Sequence, residues 1–456
     1  MRDLHMKQEL IELSPLLTNS RPYICEITEG LRKQLGLSKY LQSLKINCGM
    51  HTVTCPVVLI NEDHLSLSLT DNILDELHLP KQSFKLQAKQ IDSAQIRLGP
   101  IIGVLTEIST KQGLNFGSIH DFCHELARYC HANGCLLYIF SLKMYNKDHM
   151  TGYCFTDDKW VKTSVPYPDV VHNRIHSRKL EHSKTFLSVT SDFIENKTPY
   201  FNDRFLNKWE VHQILSASEH LVPYLPDSKL LESKAILEQM LHDKKDVFIK
   251  PINGSQGKRI FRVIEQENTS YLLDFTTFSG EINKQYDSFY QLFSALYPRL
   301  KREGFLVQET INLKKYNNHT LDFRFLCHKK DQQNWKISSS VARVSGDNQF
   351  VANLARGGSI HQIKSLLDEL YGERDSLHLR KLLAELSLEI VEVICIQAGG
   401  EFGEFGIDLA LDAEGKPWII EVNTKPSKSE DDPKKGKVRP SARAIINYCL
   451  FLYNKN

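Results

Sequence analysis

Along the first hundred residues, apolar and polar positions alternate in short runs. In HLSLSLT, Leu65, Leu67 and Leu69 fall on one face, and SFKLQAKQI and AQIRLGP continue the period of two. Such alternation predicts short, half-buried strands, and residues 1–97 read as a small β-rich domain with no evident chemistry. The pattern changes at Gly99-Pro100. IIGVLTEI (101–108) is a near-continuous apolar run, as a buried strand requires, followed by a helical stretch over about 118–133, Gly134 and a second apolar run, CLLYIF (135–140). Strand, helix, strand predicts a βαβ unit with limits near 98 and 196. It carries no GxGxxG, so no dinucleotide site is expected there.

From about 197 to 456 the elements are longer and mixed. VFIKP (247–251) predicts a strand, and Asn253-Gly254-Ser255-Gln256-Gly257 a turn. KRIFRVIEQ, SYLLDFT, FLVQETI (305–311), DFRFLCHK and WKISSSVARV predict further strands. YQLFSALYPRLKREG predicts a helix ended by Gly304, and LHLRKLLAELSLEIVEVICIQAGG a long helix ended by Gly399-Gly400. FGIDLALD and PWIIEVN form a last strand pair turning at Glu414-Gly415, before a charged loop, SKSEDDPKKGKV (427–438). The class is α/β (α+β).

Length narrows this to about three domains, at roughly 150 residues each. The 57 Lys and Arg against 55 Asp and Glu leave a formal net charge of +2, which argues against a nucleic-acid coat. The opening MRDLHMKQELIELSPLL has no apolar core of a secretory signal, and no run is long enough to span a membrane. The ten cysteines make no CxxC pair and read as reduced thiols, so a cytoplasmic location is expected.

Two segments imitate chemistry. HDFCHELARYCHANGC (120–135) resembles a zinc site, but His131 lies about 16 Å along a helix axis from His120, and Cys123 and Cys130 fall with Phe122 and Leu126 on the apolar side. No zinc is expected there. The Gly254–Lys258 stretch is not a Walker A loop, because Arg259 follows Lys258 where Ser or Thr is needed. It gains interest from Lys250, a lysine in an apolar strand that requires an anionic partner.

The strongest signal is the last strand pair. Glu421 and Asn423 are two apart and share a face; in a hairpin Asp408 can join them. Two carboxylates and an amide oxygen are hard ligands suited to Mg²⁺, and their apolar neighbours make unpartnered carboxylates costly.

With these residues in view, the chain resembles the ATP-grasp superfamily, whose metal signature is D…E-x-N on the last strand pair. VFIKP, NGSQGK, FLVQETI, LDFRFL and ARVSGDNQFVANLARGGS follow in that superfamily's order. DVVHNRI (169–175) and EVNTKPSK point to the YheC/YheD group of endospore coat-associated proteins. The resemblance implies an ATP-grasp fold over 197–456, a pre-ATP-grasp βαβ domain over 98–196 and the β-rich domain before it. It implies that Lys250, and more loosely Lys208, contact the nucleotide phosphates. Gly254, Ser255 and Gly257 would fold over them, with Asn353 nearby. Glu309 would accept from the adenine amino group, with Thr310 and Ile311 offering backbone groups, and Asp322 would bind ribose. Asp408, Glu421 and Asn423 would hold Mg²⁺, while Arg324, Arg343 and Arg356 serve the γ-phosphate and an acyl phosphate.

The implied activity is an ATP- and Mg²⁺-dependent ligase joining a carboxylate to an amine or related nucleophile, a peptide or protein among the candidates, in a spore-associated setting. The rivals are an ATP-binding scaffold of the spore coat without turnover, and a phosphotransferase. Val351, two residues before Asn353, and Lys425 depart from the glutamate-ligase pattern. They point to a different substrate, with Lys425 as a candidate for meeting an acidic one.

Overall fold

The computed structural model describes residues 7–16, 23–254, 259–267, 270–277, 280–301, 303–346, 358–428 and 437–455. The alternating N-terminal runs close into a barrel, in the order Gln8–Pro15, Ser66–Leu69, Cys25–Thr28, His51–Ile60, Ser43–Cys48, Gln95–Gly99 and Phe84–Asp92. The inward positions, Leu44, Ile46, Leu67, Leu69, Leu86, Ile96 and Leu98 among them, are fully buried. Two short helices, Glu29–Leu35 and Asp71–Glu76, interrupt the strands. Periodicity alone did not announce them, because each is under two turns long or close to it.

Next comes a six-stranded sheet in the order Lys159–Ser164, Thr151–Thr156, Leu136–Phe140, Ile101–Leu105, Val170–Asn173 and Tyr200–Phe201. The last four run parallel, and the helix His120–Ala132 makes the crossover between Ile101–Leu105 and Leu136–Phe140. The C-terminal helix Pro440–Lys455 returns to this sheet: its Ala442, Ile445, Ile446 and Cys449 share a core with Phe122, Cys123, Leu126 and Cys130. Cys123 and Cys130 are therefore core residues, while His124 accepts a 3.3 Å hydrogen bond from Trp160 Nε1. All ten cysteines are free thiols.

Two further sheets follow. One is antiparallel, in the order Ser228–Leu230, Phe305–Glu309, Asp246–Pro251, Phe261–Glu265, Tyr271–Thr277 and Gly280–Tyr286. The helices Lys234–Lys244 and Phe289–Leu300 cover one face through Leu237, Leu241, Leu292 and Leu296. The other runs Ser359–His361, Trp335–Val344, His319–Lys329, Glu404–Leu411 and Pro417–Asn423. Phe323, Phe325, Ile407, Leu409 and Val422 pack there on Ile390, Val391 and Ile394 of the helix Ile363–Gln397. That helix starts earlier than its apolar run suggests, because Gly372, at φ 78°, joins two helical stretches.

A buried polar hub locks the parallel sheet to the last sheet. Glu404, fully buried, accepts from Arg174 Nη1 and Asn202 Nδ2 at 2.8 Å each and from His172 Nε2 at 3.2 Å, and contacts Lys428 Nζ. Arg174 Nη2 donates to the Pro426 carbonyl at 3.0 Å. DVVHNRI thus does structural work, and the segment that follows Asn423 is tied to the parallel sheet.

Candidate functional site

The face of the last sheet opposite its core is charged. Asp322 stands opposite Arg343, Arg324 opposite Asp408, Asp408 opposite Glu421 and Gly406 opposite Asn423. Side chains alternate along a strand, so Asp322, Arg324, Arg343, Asp408, Glu421 and Asn423 share this face. Arg343 grips Asp322 through two bonds of 2.6 and 2.7 Å, and its Nη2 lies 3.2 Å from Asp408. Arg324 grips Asp408 with Nε and with Nη2, the latter at 3.0 Å. All four are buried. Charges so placed persist only when paired with good geometry, and the bidentate forks supply it. Burial pushes the Asp322 carboxyl up to about 6 against the pull of Arg343, with Asp408 adding repulsion.

This face borders a cleft against the antiparallel sheet. Leu306 and Gln308 pair with Lys250 and Phe248, so these four point the same way. The cleft has apolar walls that include Val211, Leu215, Leu306 and Ile419, and its polar lining comprises Lys208, His212, Ser228, Lys250, Gln308 and Glu421. Asn207 caps the helix Lys208–Ser216, its Oδ1 accepting from Glu210 N at 2.9 Å, and so places Lys208 at the cleft. Lys208 Nζ contacts the Glu421 carboxylate. Burial raises the Glu421 carboxyl, but Lys208 outweighs it and holds the group below its ordinary range. Lys250 Nζ donates to Gln308 Oε1 at 2.5 Å, and Gln308 Nε2 donates to Ser228 Oγ at 2.9 Å. Burial and the neighbouring Lys208 charge push Lys250 down to about 8. An apolar slot with cations at its floor suits a flat ring carrying an anionic tail.

The sequence model of the YheC/D-like ATP-grasp family matches residues 197–452. The chain belongs to that family. The endospore coat-associated protein YheD of Bacillus subtilis (strain 168) is 27% identical over 395 residues, covering 84% of each chain. YheC of the same organism is 20% identical over 281 residues, covering 60% of this chain and 75% of its own. Among solved structures, D-alanyl-alanine synthetase A from Vibrio cholerae is similar at 14% identity and a TM-score of 0.46, over 78% of this chain and 99% of its own. The ATP-grasp ligase PsnB with a minimal precursor gives 13% and 0.43, over 76% and 98%.

In this YheC/D-like ATP-grasp chain, some expected side chains turn from the cleft. Glu309 lies on the opposite face of its strand from Gln308. Its carboxylate accepts from Lys244 Nζ at 3.0 Å and from Asp227 N at 2.8 Å. Of the backbone groups expected to meet adenine, Thr310 N donates to the Asp246 carbonyl at 3.0 Å, and the Ile311 carbonyl accepts from Leu313 N at 2.9 Å. Asp322 is committed to Arg343, a partner the ribose assignment did not include. At Gly254, expected from the resemblance to fold over phosphates, an added Cβ would come within 2.4 Å of the Pro251 ring. Ser255, Gly257, Lys258, Asn353 and Arg356 lie outside the described residues.

Lys425 is neither a solvated loop residue nor open to a substrate. Its side chain is buried, with Nζ against Glu181 and 3.2 Å from the Ile175 carbonyl. Sequence reasoning passed over Gln308 and Ser228. The alternation of FLVQE, with Phe305 and Val307 in the core, places Leu306 and Gln308 on the other face.

Proposed function

We propose that this protein is an ATP- and Mg²⁺-dependent ligase that activates a carboxylate as an acyl phosphate and passes the acyl group to an amine. The observation that carries the reading is that Lys208, Lys250 and Glu421 meet in an apolar slot and that Glu421 shares its sheet face with Asp408, Asn423, Arg324 and Arg343. The donor set fits Mg²⁺: Asp408, Glu421 and Asn423 offer hard oxygens from one sheet face, and each carboxylate already faces a cation, Arg324 and Lys208 respectively. When bound, the metal neutralises phosphate charge.

The chain's own residues do the rest. The walls hold the base, and Gln308 with Ser228 supplies polar edges. Lys250 and Lys208 take the phosphate oxygens, and Lys208 releases Glu421 as it turns to them. Arg324 and Arg343 stabilise charge on the transferred phosphoryl group. An oxygen of the substrate carboxylate attacks the γ-phosphorus and ADP departs. The amine lone pair then attacks the acyl carbon, phosphate leaves and the nitrogen sheds a proton. The names of the B. subtilis relatives support a place in the forming spore.

The test is ADP release and hydroxamate formation by the full chain with ATP, Mg²⁺, hydroxylamine and a panel of carboxylates. Carboxylate-dependent appearance of both is expected. ATP binding without ADP release for every carboxylate would favour the scaffold reading and overturn this one.

A further inference from the structure

The parallel sheet ends against the charged face, and open α/β sheets receive ligands beyond the carboxyl ends of their strands. Val170–Asn173 leads there into Arg174-Ile175-His176-Ser177-Arg178. Glu107, just past the Ile101–Leu105 strand, fixes this segment by accepting from His176 N at 3.0 Å and Ser177 N at 3.2 Å. Ser177 then caps a single turn, Arg178–Glu181. Glu181 binds Lys425 and accepts from Phe205 N at 3.1 Å. The Phe205 ring carries both cations, with Arg178 Cζ at 4.7 Å and Lys425 Nζ at 4.9 Å from its centroid. Arg178 is thus seated by packing.

Its charge is not used up. Among the described residues, the half-buried Arg178 makes one weak hydrogen bond, 3.4 Å to the Leu206 carbonyl, and no carboxylate pairs with it. Three carboxylates are near enough for their charge to be felt there: Glu181, Glu421 and Glu210. Each has its own cation in contact, Lys425, Lys208 and Arg204 respectively. A partly desolvated guanidinium with an unfilled fork matches a carboxylate, which accepts two parallel bonds.

We infer that Arg178 is a specificity-determining residue that receives the carboxylate of the ligase substrate at the lip of the nucleotide cleft. The inference rests on the proposed ligase reading and names the group that holds the substrate of that site. It moves to Arg178 the role that the sequence suggested for Lys425, whose charge Glu181 takes.

The test uses the full chain loaded with Mg-AMP-PNP, with glutarate as the probe and saturation-transfer NMR as the readout. Glutarate should bind saturably, and glutaramide, which has the shape without the charge, should not. Arg178→Gln should weaken glutarate about tenfold or more, the worth of a charge-assisted hydrogen-bond pair. Arg178→Lys, which keeps the charge and loses the fork, should fall between. Lys179→Gln, which removes an exposed charge one residue away, should leave glutarate affinity unchanged. Equal glutarate affinity in wild type, Arg178→Gln and Arg178→Lys would overturn the inference. So would glutaramide binding as well as glutarate, or a chain that takes Mg-AMP-PNP and ignores glutarate. Failure to take Mg-AMP-PNP at all would instead remove the nucleotide site, and this inference with it.

Discussion

Lys208 and Glu421 touch across the floor of the cleft although 213 positions separate them in the chain. The contact means that the carboxylate proposed as a metal ligand has a cation of its own before nucleotide arrives. Phosphate can draw Lys208 away and leave Glu421 to Mg²⁺, so nucleotide and metal should bind as a unit.

Lys208→Ala should therefore split two affinities that usually move together. Mg²⁺ alone should bind more tightly, because Glu421 loses its competing cation. Mg-ATP should bind about tenfold more weakly, because a charge-assisted contact to phosphate is gone. Calorimetry of each ligand checks this, and a parallel loss of both affinities would contradict it.

Lys250 should make ATP binding depend on pH near 8. Only the ammonium form attracts phosphate, and burial has moved its pKa down to about 8. Affinity should be full below that value and decline as pH rises through it. ATP binding at pH 8 to 9 should take up protons, seen as a calorimetric heat that varies with buffer ionisation enthalpy. Lys250→Arg should abolish the proton uptake, since arginine stays charged.

Gln308 and Glu309 should behave oppositely. Gln308→Leu should weaken ATP several-fold, as loss of a partly buried hydrogen-bonding amide does, with little change in melting temperature. Glu309→Gln should lower stability through Lys244 and Asp227 while ATP affinity shifts less than it does in Gln308→Leu. Fluorescent-nucleotide titration and thermal melts separate the two effects.

These neighbouring residues show what sequence could and could not resolve. Asp408, Glu421 and Asn423 were legible as a set because two-residue spacing and a hairpin turn determine the face locally. Glu309 was assigned from chain order, which locates a strand but not its rotation; the Phe305-Val307-Glu309 alternation was the signal available. Lys425 was misread because its partner, Glu181, lies 244 positions away. The Glu404 hub was invisible for the same reason, since its members come from segments near 172, 202, 404 and 428. The C-terminal helix Pro440–Lys455, which follows the last sheet in the chain, packs Ala442, Ile445, Ile446 and Cys449 against the parallel-sheet core, a placement that chain order does not announce.

Glu404→Ala should destabilise the protein by about 3–5 kcal/mol, because it removes the carboxylate that the buried Arg174 and Lys428 cations face. The pH dependence has a definite sign. Burial raises the Glu404 carboxyl, but Lys428 and Arg174 override it and hold the group well below the ordinary carboxylate range. Its contribution should be full above the ordinary glutamate pKa, decline progressively as pH falls below it, and vanish only once pH has passed the depressed native value. Urea unfolding of wild type and Glu404→Ala across that range checks this; a wild-type advantage already lost at the ordinary glutamate pKa would contradict it.

The most direct test of the whole account is ATP affinity with and without Mg²⁺ in folded Glu421→Gln. The substitution keeps the shape and removes the ligand charge. Mg-ATP affinity should fall at least about tenfold, the scale expected for losing a charged ligand. ATP affinity in EDTA should hold or rise, because Lys208 is freed for phosphate. Mg-ATP affinity equal to wild type in the folded variant would contradict the assignment of this face as the metal and nucleotide site.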